Sequence, residues 1–187
     1  LLVLSPIVLV GANIDKFVYT QRLANYTPLA VDGVPVPIQV DKNDDKGVLR
    51  AVNTLRVDFE NVTGNLPKEG EGRCALIIGT VGKSALIDNL IKNGKIQSAT
   101  LQNKTEKYII TNIANPCDGV EEAIVIAGSD KRGTIYGIYE LSAQMGVSPW
   151  YYWADVPVER KDNLYFKNGT YTEGEPAVKY RGIFLND

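Results

Sequence analysis

The sequence contains no histidine, and that absence removes more chemistry than any single residue supplies. Without an imidazole the chain cannot build a Ser-His or Cys-His nucleophile, or a metal site with a histidine ligand. Cysteine is scarce too: Cys74 and Cys117 are the only two thiols, and no CxxC spacing exists to seed a zinc site. An oxidising compartment would let them pair. Two separate buried thiols is the favoured reading, because Cys74 sits in an apolar strand-like run and Cys117 follows Pro116 in a turn. An excess of either charge is also missing, with 20 basic against 22 acidic residues and a net charge of −2. That balance gives no electrostatic footing for nucleic acid or an anionic membrane surface. No apolar run is long enough to span a bilayer. Internal repeats and low-complexity tracts are absent, and neither a metal nor a cofactor is expected.

What remains is an ordinary globular composition, 44% apolar and 22% charged over 187 residues. That length fits one domain, or one domain and the beginning of a second. Leu1 to Val10 is apolar and is followed by Gly11-Ala12. It has the look of a signal-peptide core without its positive flank, or of an edge strand carrying Pro6. Phe17 to Ala30 shows only weak periodicity and stays unassigned. Ile38 to Val40 is a short strand. Asp41 to Asp45 then offers caps for a helix from about Lys46 to Val62, with Val48, Val52, Leu55, Val57 and Phe59 as its stripe and Gly64 as its stop.

Arg73 to Gly79 is a continuous apolar run, the pattern of a buried central strand. It leads through Thr80-Val-Gly-Lys-Ser84 into a helix, Ala85 to Asn93. That junction has the outline of a phosphate loop but not its substance. The first glycine of such a loop belongs at position 77, which is Ile, so a plain turn is expected. Tyr108 to Ile113 and Glu122 to Ala127 complete the strands, and Asn115 to Gly119 makes a turn between them. The alternation β-α-β-α-β-β-α predicts a layered α/β domain with a mixed β-sheet and about three helices. Residues 1–158 form this domain. A polar stretch, 159–177, acts as a linker with a short strand at Leu164 to Phe166, and 178–187 begin a second domain. Four Asn-X-Thr sequons, at Asn25, Asn61, Asn103 and Asn168, are treated as chance.

The rest is organised around Gly128 to Val158, GSDKRGTIYGIYELSAQMGVSPWYYWADVPV. Ser129 or Asp130 caps a helix with an apolar side of Ile135, Ile138, Tyr139, Leu141, Ser142 and Met145, and Gly146 and Pro149 end it. Both tryptophans and four tyrosines cluster between Tyr136 and Trp153, where they pack against something large or line a site. This stretch resembles the α-glucuronidases of glycoside hydrolase family 115. A second block, Val178-Lys-Tyr-Arg-Gly-Ile-Phe-Leu-Asn-Asp187, resembles the first strand of that family's (β/α)₈ catalytic barrel, and looser similarity runs from about Pro37 to Ala127. The resemblance implies the N-terminal fragment of a secreted or periplasmic bacterial enzyme. Such an enzyme removes glucuronic or 4-O-methylglucuronic acid from glucuronoxylan, or its oligosaccharides, with inversion. Its acid and base would come from later barrel strands, so the fragment alone is expected to be inactive and to partner the remainder of its own barrel.

Candidate substrate-binding residues follow from both sources. Asn186 and Asp187 would lie at the C-terminal end of a barrel strand, the face that holds such sites; the bland alternative is an Asx cap. Lys131 and Arg132 could grip a uronate carboxylate, and Arg offers two parallel donors for it. The competing reading for Arg132 is a salt bridge or a pin that holds the helix in place. Trp150 could stack on a sugar ring or pack between domains. No pair of carboxylates stands out as acid and base. A carbohydrate-binding module and the accessory domain of a hexosaminidase-like enzyme remain as alternatives.

Overall fold

The computed structural model describes residues 15–70 and 72–182. The readings of Leu1–Val10, and of Asn186 and Asp187, fall outside that range. Among the described residues nine strands form two sheets. In chain order they are β1 (Val18–Tyr19), β2 (Tyr26–Val31), β3 (Val34–Pro35), β4 (Ile38–Val40), β5 (Cys74–Thr80), β6 (Tyr108–Cys117), β7 (Val120–Gly128), β8 (Leu164–Lys167) and β9 (Thr170–Tyr171). Helices α1 (Lys46–Thr63), α2 (Ala85–Lys92), α3 (Lys131–Met145) and the short α4 (Tyr151–Ala154) lie between them.

The larger sheet has the order β4-β5-β7-β6-β9, with β4, β5 and β7 parallel and β6 antiparallel to both of its neighbours, β7 and β9. It is the expected layered α/β arrangement with a mixed sheet. Side chains alternate along each strand. Leu76, Ile78, Ile124, Ile126, Tyr108 and Ile110 therefore face α1 and α3, while Ala75, Ile77, Ala123, Val125 and Ile109 face α2. Burial on both faces is why β5 and β7 read as unbroken apolar runs. Cys74 on β5 and Cys117 on β6 are separated by β7, about 10 Å of sheet. No disulfide joins them. Cys74 is half-buried and Cys117 exposed, so the expectation of two buried thiols does not hold.

The second sheet, β1-β8-β2-β3, is antiparallel and packs on the same side as α1 and α3. Strands β1 and β2 come from the unassigned segment after Phe17, β3 follows just beyond it, and β8 is the short strand expected at Leu164 to Phe166 within the stretch read as linker. Residues 159–177 are thus woven into both sheets: β8 lies between β1 and β2, and β9 pairs with β6. Phe17 and Phe166 are fully buried, and with Tyr171 they form an edge-to-face cluster (5.5 Å between the Phe17 and Phe166 rings).

Helix ends explain the sequence around them. Asp45 caps α1 by accepting from Gly47 N at 2.8 Å, and Asp130 caps α3 by accepting from Gly133 N at 2.9 Å. Both helices end in a left-handed glycine, Gly64 (φ 91°) and Gly146 (φ 105°). Above each glycine sits a cation from the supposed linker. Arg160 donates to Glu60 O at 3.3 Å and Lys161 to Met145 O at 2.8 Å, and each fills the space a Cβ would need. Gly133 and Gly137 let α3 lie directly on Lys107 O and Ile126. Two residues placed inward by periodicity point outward instead: Val57 is 42% exposed and Tyr139 49%. The inward places belong to Ala51, Asp58 and Val62 on α1, and to Thr134 and Gly137 on α3. Among the described residues no helix is long and apolar enough to cross a membrane.

Candidate functional site

Open α/β sheets bind ligands outside the carboxyl ends of their parallel strands. Here the ends of β4, β5 and β7 meet the start of β6, because Tyr108 pairs with Gly128 in the antiparallel register. Four loops thus share one edge. The polar groups at this edge are consumed by one another. Asp44 accepts from Thr80 N at 2.8 Å, and Asp41 accepts from Ala85 N at 2.9 Å. The backbone hydrogen bond from Asn43 first, and that from Ala85 second, hold the Asp41 carboxyl below its ordinary value. A carboxylate therefore occupies the N-terminus of α2 where a phosphate would sit, and Gly82 N donates to Asp88 at 2.8 Å. The Thr80–Ser84 junction is a plain turn closed on Thr80 O, with the buried Ser84 hydroxyl left without a partner.

The second half of the edge centres on Glu106, which the sequence did not single out. Its side chain is 8% exposed, and both carboxylate oxygens are committed. Oε1 accepts from Arg132 Nη1 at 2.8 Å, and Oε2 accepts from Arg181 Nη2 and from the Tyr136 hydroxyl at 3.4 Å. Arg132 first and Arg181 second hold this carboxyl below the usual range, and Glu106 in turn raises both guanidinium groups. Glu106 N donates to Asp130 Oδ2 at 2.8 Å, so the residue that caps α3 also anchors the Glu106 backbone. Next to it, Lys107 N donates to Ser129 Oγ at 3.0 Å, and Ser129 N donates back to Lys107 O at 2.8 Å.

The sequence candidates are not gathered in one place. Lys131 is exposed at the first position of α3. Arg132 forms the ion pair that was its competing reading. Trp150, 64% exposed, precedes α4 beyond the far end of α3. A helix of 15 residues separates it from Arg132, about 22 Å of rise. One sugar unit cannot touch both. The segment leading toward Asn186 and Asp187 does meet Arg132, through Glu106 and Arg181. Residues 178–182 form no strand. Among the described residues no group of three or more His, Cys, Asp or Glu is placed to hold a metal ion.

Two further acids, Glu140 and Glu173, lie near the buried Tyr108. Burial first, then Glu140, raises the Glu173 carboxyl, and burial pushes the Tyr108 phenol far above its ordinary value. Glu140 accepts from Gln144 Nε2 at 2.9 Å on its own helix.

No protein-family model matches the chain, and no curated protein matches it in sequence. Among solved structures, the chain is similar to a family GH115 4-O-methyl-α-glucuronidase, BtGH115A, with specificity for decorated arabinogalactans. The identity is 33% and the TM-score 0.67, over 84% of this chain and 19% of that one. It is remotely similar to CpGH84D (11% identity, TM-score 0.47, 76% of this chain and 21% of that one). A comparable likeness links it to the GH20 β-N-acetylhexosaminidase from Streptomyces coelicolor A3(2) (16% identity, TM-score 0.45, 84% of this chain and 29% of that one). The chain thus has a GH115-like α/β fold and spans about a fifth of the length of that glucuronidase.

Proposed function

We propose that this chain is the α/β domain that precedes and braces the catalytic barrel of a secreted glycoside hydrolase. The whole enzyme would remove glucuronic or 4-O-methylglucuronic acid from polysaccharide side chains with inversion. The observation that carries this reading is the 33% identity with the GH115 enzyme, sustained over 84% of the chain. The internal geometry supports a bracing role over a catalytic one. Strand-end carboxylates are spent on backbone N–H groups, and Arg132 already holds a carboxylate that belongs to the chain itself. Lys131 remains exposed for a uronate or a neighbouring domain. Asn186 and Asp187 are assigned to substrate binding at the first barrel strand, and the acid and base to residues beyond these 187.

Glucuronoxylan is the first substrate to test. The neighbour's preference for decorated arabinogalactans makes that polymer the second. The experiment is release of uronic acid by the whole enzyme from both polymers, with wild type compared to Asp187→Ala. Wild-type release that falls by about 100-fold or more in a folded variant fits a residue whose contacts are made at the reacting sugar. No release from either polymer by the wild type would overturn the glucuronidase reading. Release unchanged by the substitution would make Asp187 a strand-end cap.

A further inference from the structure

After β9 the described residues 172–182 belong to neither sheet, and side chains tie them to the rest of the domain. Residues 172–182 run along the 104–108 segment and touch it at three points. Thr172 Oγ1 donates to Tyr108 O, Glu175 accepts from Thr105 N at 2.8 Å and pairs with Lys104 at 3.2 Å, and Arg181 reaches Glu106. The first two contacts are at or near the surface. The third is different in kind. Glu106 is nearly buried, its backbone is in the left-handed region (φ 54°), and Asp130 fixes its amide. A non-glycine residue keeps such a conformation when its surroundings over-determine it. Arg181 is held further by its own segment, with Nη1 donating to Val178 O at 2.7 Å, and by α3, with Nη2 donating to the Tyr136 hydroxyl at 3.2 Å.

The two blocks of sequence around Arg132 and Arg181 therefore meet on one carboxylate. Two guanidinium groups face each other across it, and without its charge they would repel. We propose that Glu106 is a positioning residue: it clasps the exit segment, through Arg181, to the N-terminus of α3 and so sets the direction in which the chain continues. Asp187 lies six residues beyond Arg181, within about 20 Å of extended chain. On the reading given under Proposed function, the clasp also fixes the origin of the strand that carries Asn186 and Asp187.

Hydrogen exchange of the intact protein, read by mass spectrometry, tests the clasp without reference to activity. In Glu106→Gln, and separately in Arg181→Gln, amides of residues 173–182 should exchange about 5- to 30-fold faster, while β5 and β7 stay protected. Arg73→Gln, which breaks an exposed pair with Glu121 elsewhere, should leave residues 173–182 unchanged. In Glu106→Gln/Arg181→Gln the acceleration should not exceed that of either single variant. Exchange of 173–182 that is equal in wild type and both variants would overturn the proposal, and so would acceleration spread evenly over the strands. A kinetic arm separates this inference from the one it rests on. If the enzyme releases uronic acid, Glu106→Gln should lower kcat more than it raises KM; a kcat left at the wild-type value would overturn the link to the barrel strand. If the wild type releases none while the exit segment loosens as expected, the clasp stands and the glucuronidase reading falls.

Discussion

Asp58 is the residue whose chemistry least matches its place. It lies on the buried face of α1 at 2% exposure, with Oδ2 accepting from Ser142 Oγ at 2.7 Å and Oδ1 without a partner. Burial raises its carboxyl above the ordinary value of 3.8, and the Ser142 hydrogen bond lowers it only in part. The folded state therefore binds this proton more tightly than the unfolded chain. Its contribution to stability is greatest below pH 3.8 and is lost as pH rises through the folded value. Above the folded value the cost of the buried charge is fully present. Asp58→Asn keeps the shape and removes that charge, so it should stabilise the protein at pH 7 by on the order of 1 kcal/mol, with the gain shrinking toward pH 4. Thermal unfolding at both values checks this; a variant less stable at pH 7 than at pH 4, relative to wild type, would sink the idea. Asp58 was invisible in the sequence because the helical stripe was counted in apolar residues. Glu106 was hidden for another reason: its partners lie 26 and 75 positions away, and only the antiparallel entry into β6 brings them together. Asp130, by contrast, was legible as a cap, since its partner is three residues on.

Elements set by local pattern were legible, and those set by distant pairing were not. Strands β4, β5 and β7 and helices α1, α2 and α3 follow from apolar runs, caps and stop glycines within a few residues. Of the four-stranded sheet only β8 left such a trace, as the short strand expected at Leu164 to Phe166. Two of its strands have two residues each, β2 carries Pro28 beside a bulge, and its partner β8 is well over a hundred positions away. The polar look of residues 159–163 also misled, because Arg160 and Lys161 are helix caps. Each puts its charge at a helix C-terminus, where a cation is worth about 0.3–1 kcal/mol, and above a glycine that leaves it room. Arg160→Ala should cost about that much. Gly64→Ala should cost more, about 1–2 kcal/mol, because the residue has φ 91° and its new methyl evicts the same guanidinium. The two losses overlap, so the double variant should be less destabilised than their sum. Denaturant unfolding of the four proteins measures it; strict additivity would mean that Arg160 does not cap α1.

At the scale of the molecule, the surface around the exit segment is unlike the rest. Tyr139 and Tyr136 follow one another along the outer side of α3, Tyr136 touches Arg181, and Val178 and Tyr180 stand beside it at 58% and 83% exposure. Trp150 adds a large exposed ring beyond the far end of the helix. Single exposed apolar residues are normal on a folded protein, whereas a run of aromatics beside a tethered segment marks a face that is covered in the working assembly. Under the proposed role that cover is the catalytic barrel. These 187 residues expressed by themselves should then self-associate and bind a hydrophobic dye. Replacing Tyr139 and Tyr180 by Ser should weaken both effects without changing the unfolding free energy by more than about 0.5 kcal/mol per site. Sedimentation velocity over a range of concentrations, with dye fluorescence on the same samples, provides the reading. A monomer with no dye response would mean that this side faces water in the whole protein, and the bracing surface would have to be sought at the β4 edge of the larger sheet, where Glu69 bridges Ile38. Association that survives the two substitutions would move it to Trp150 instead.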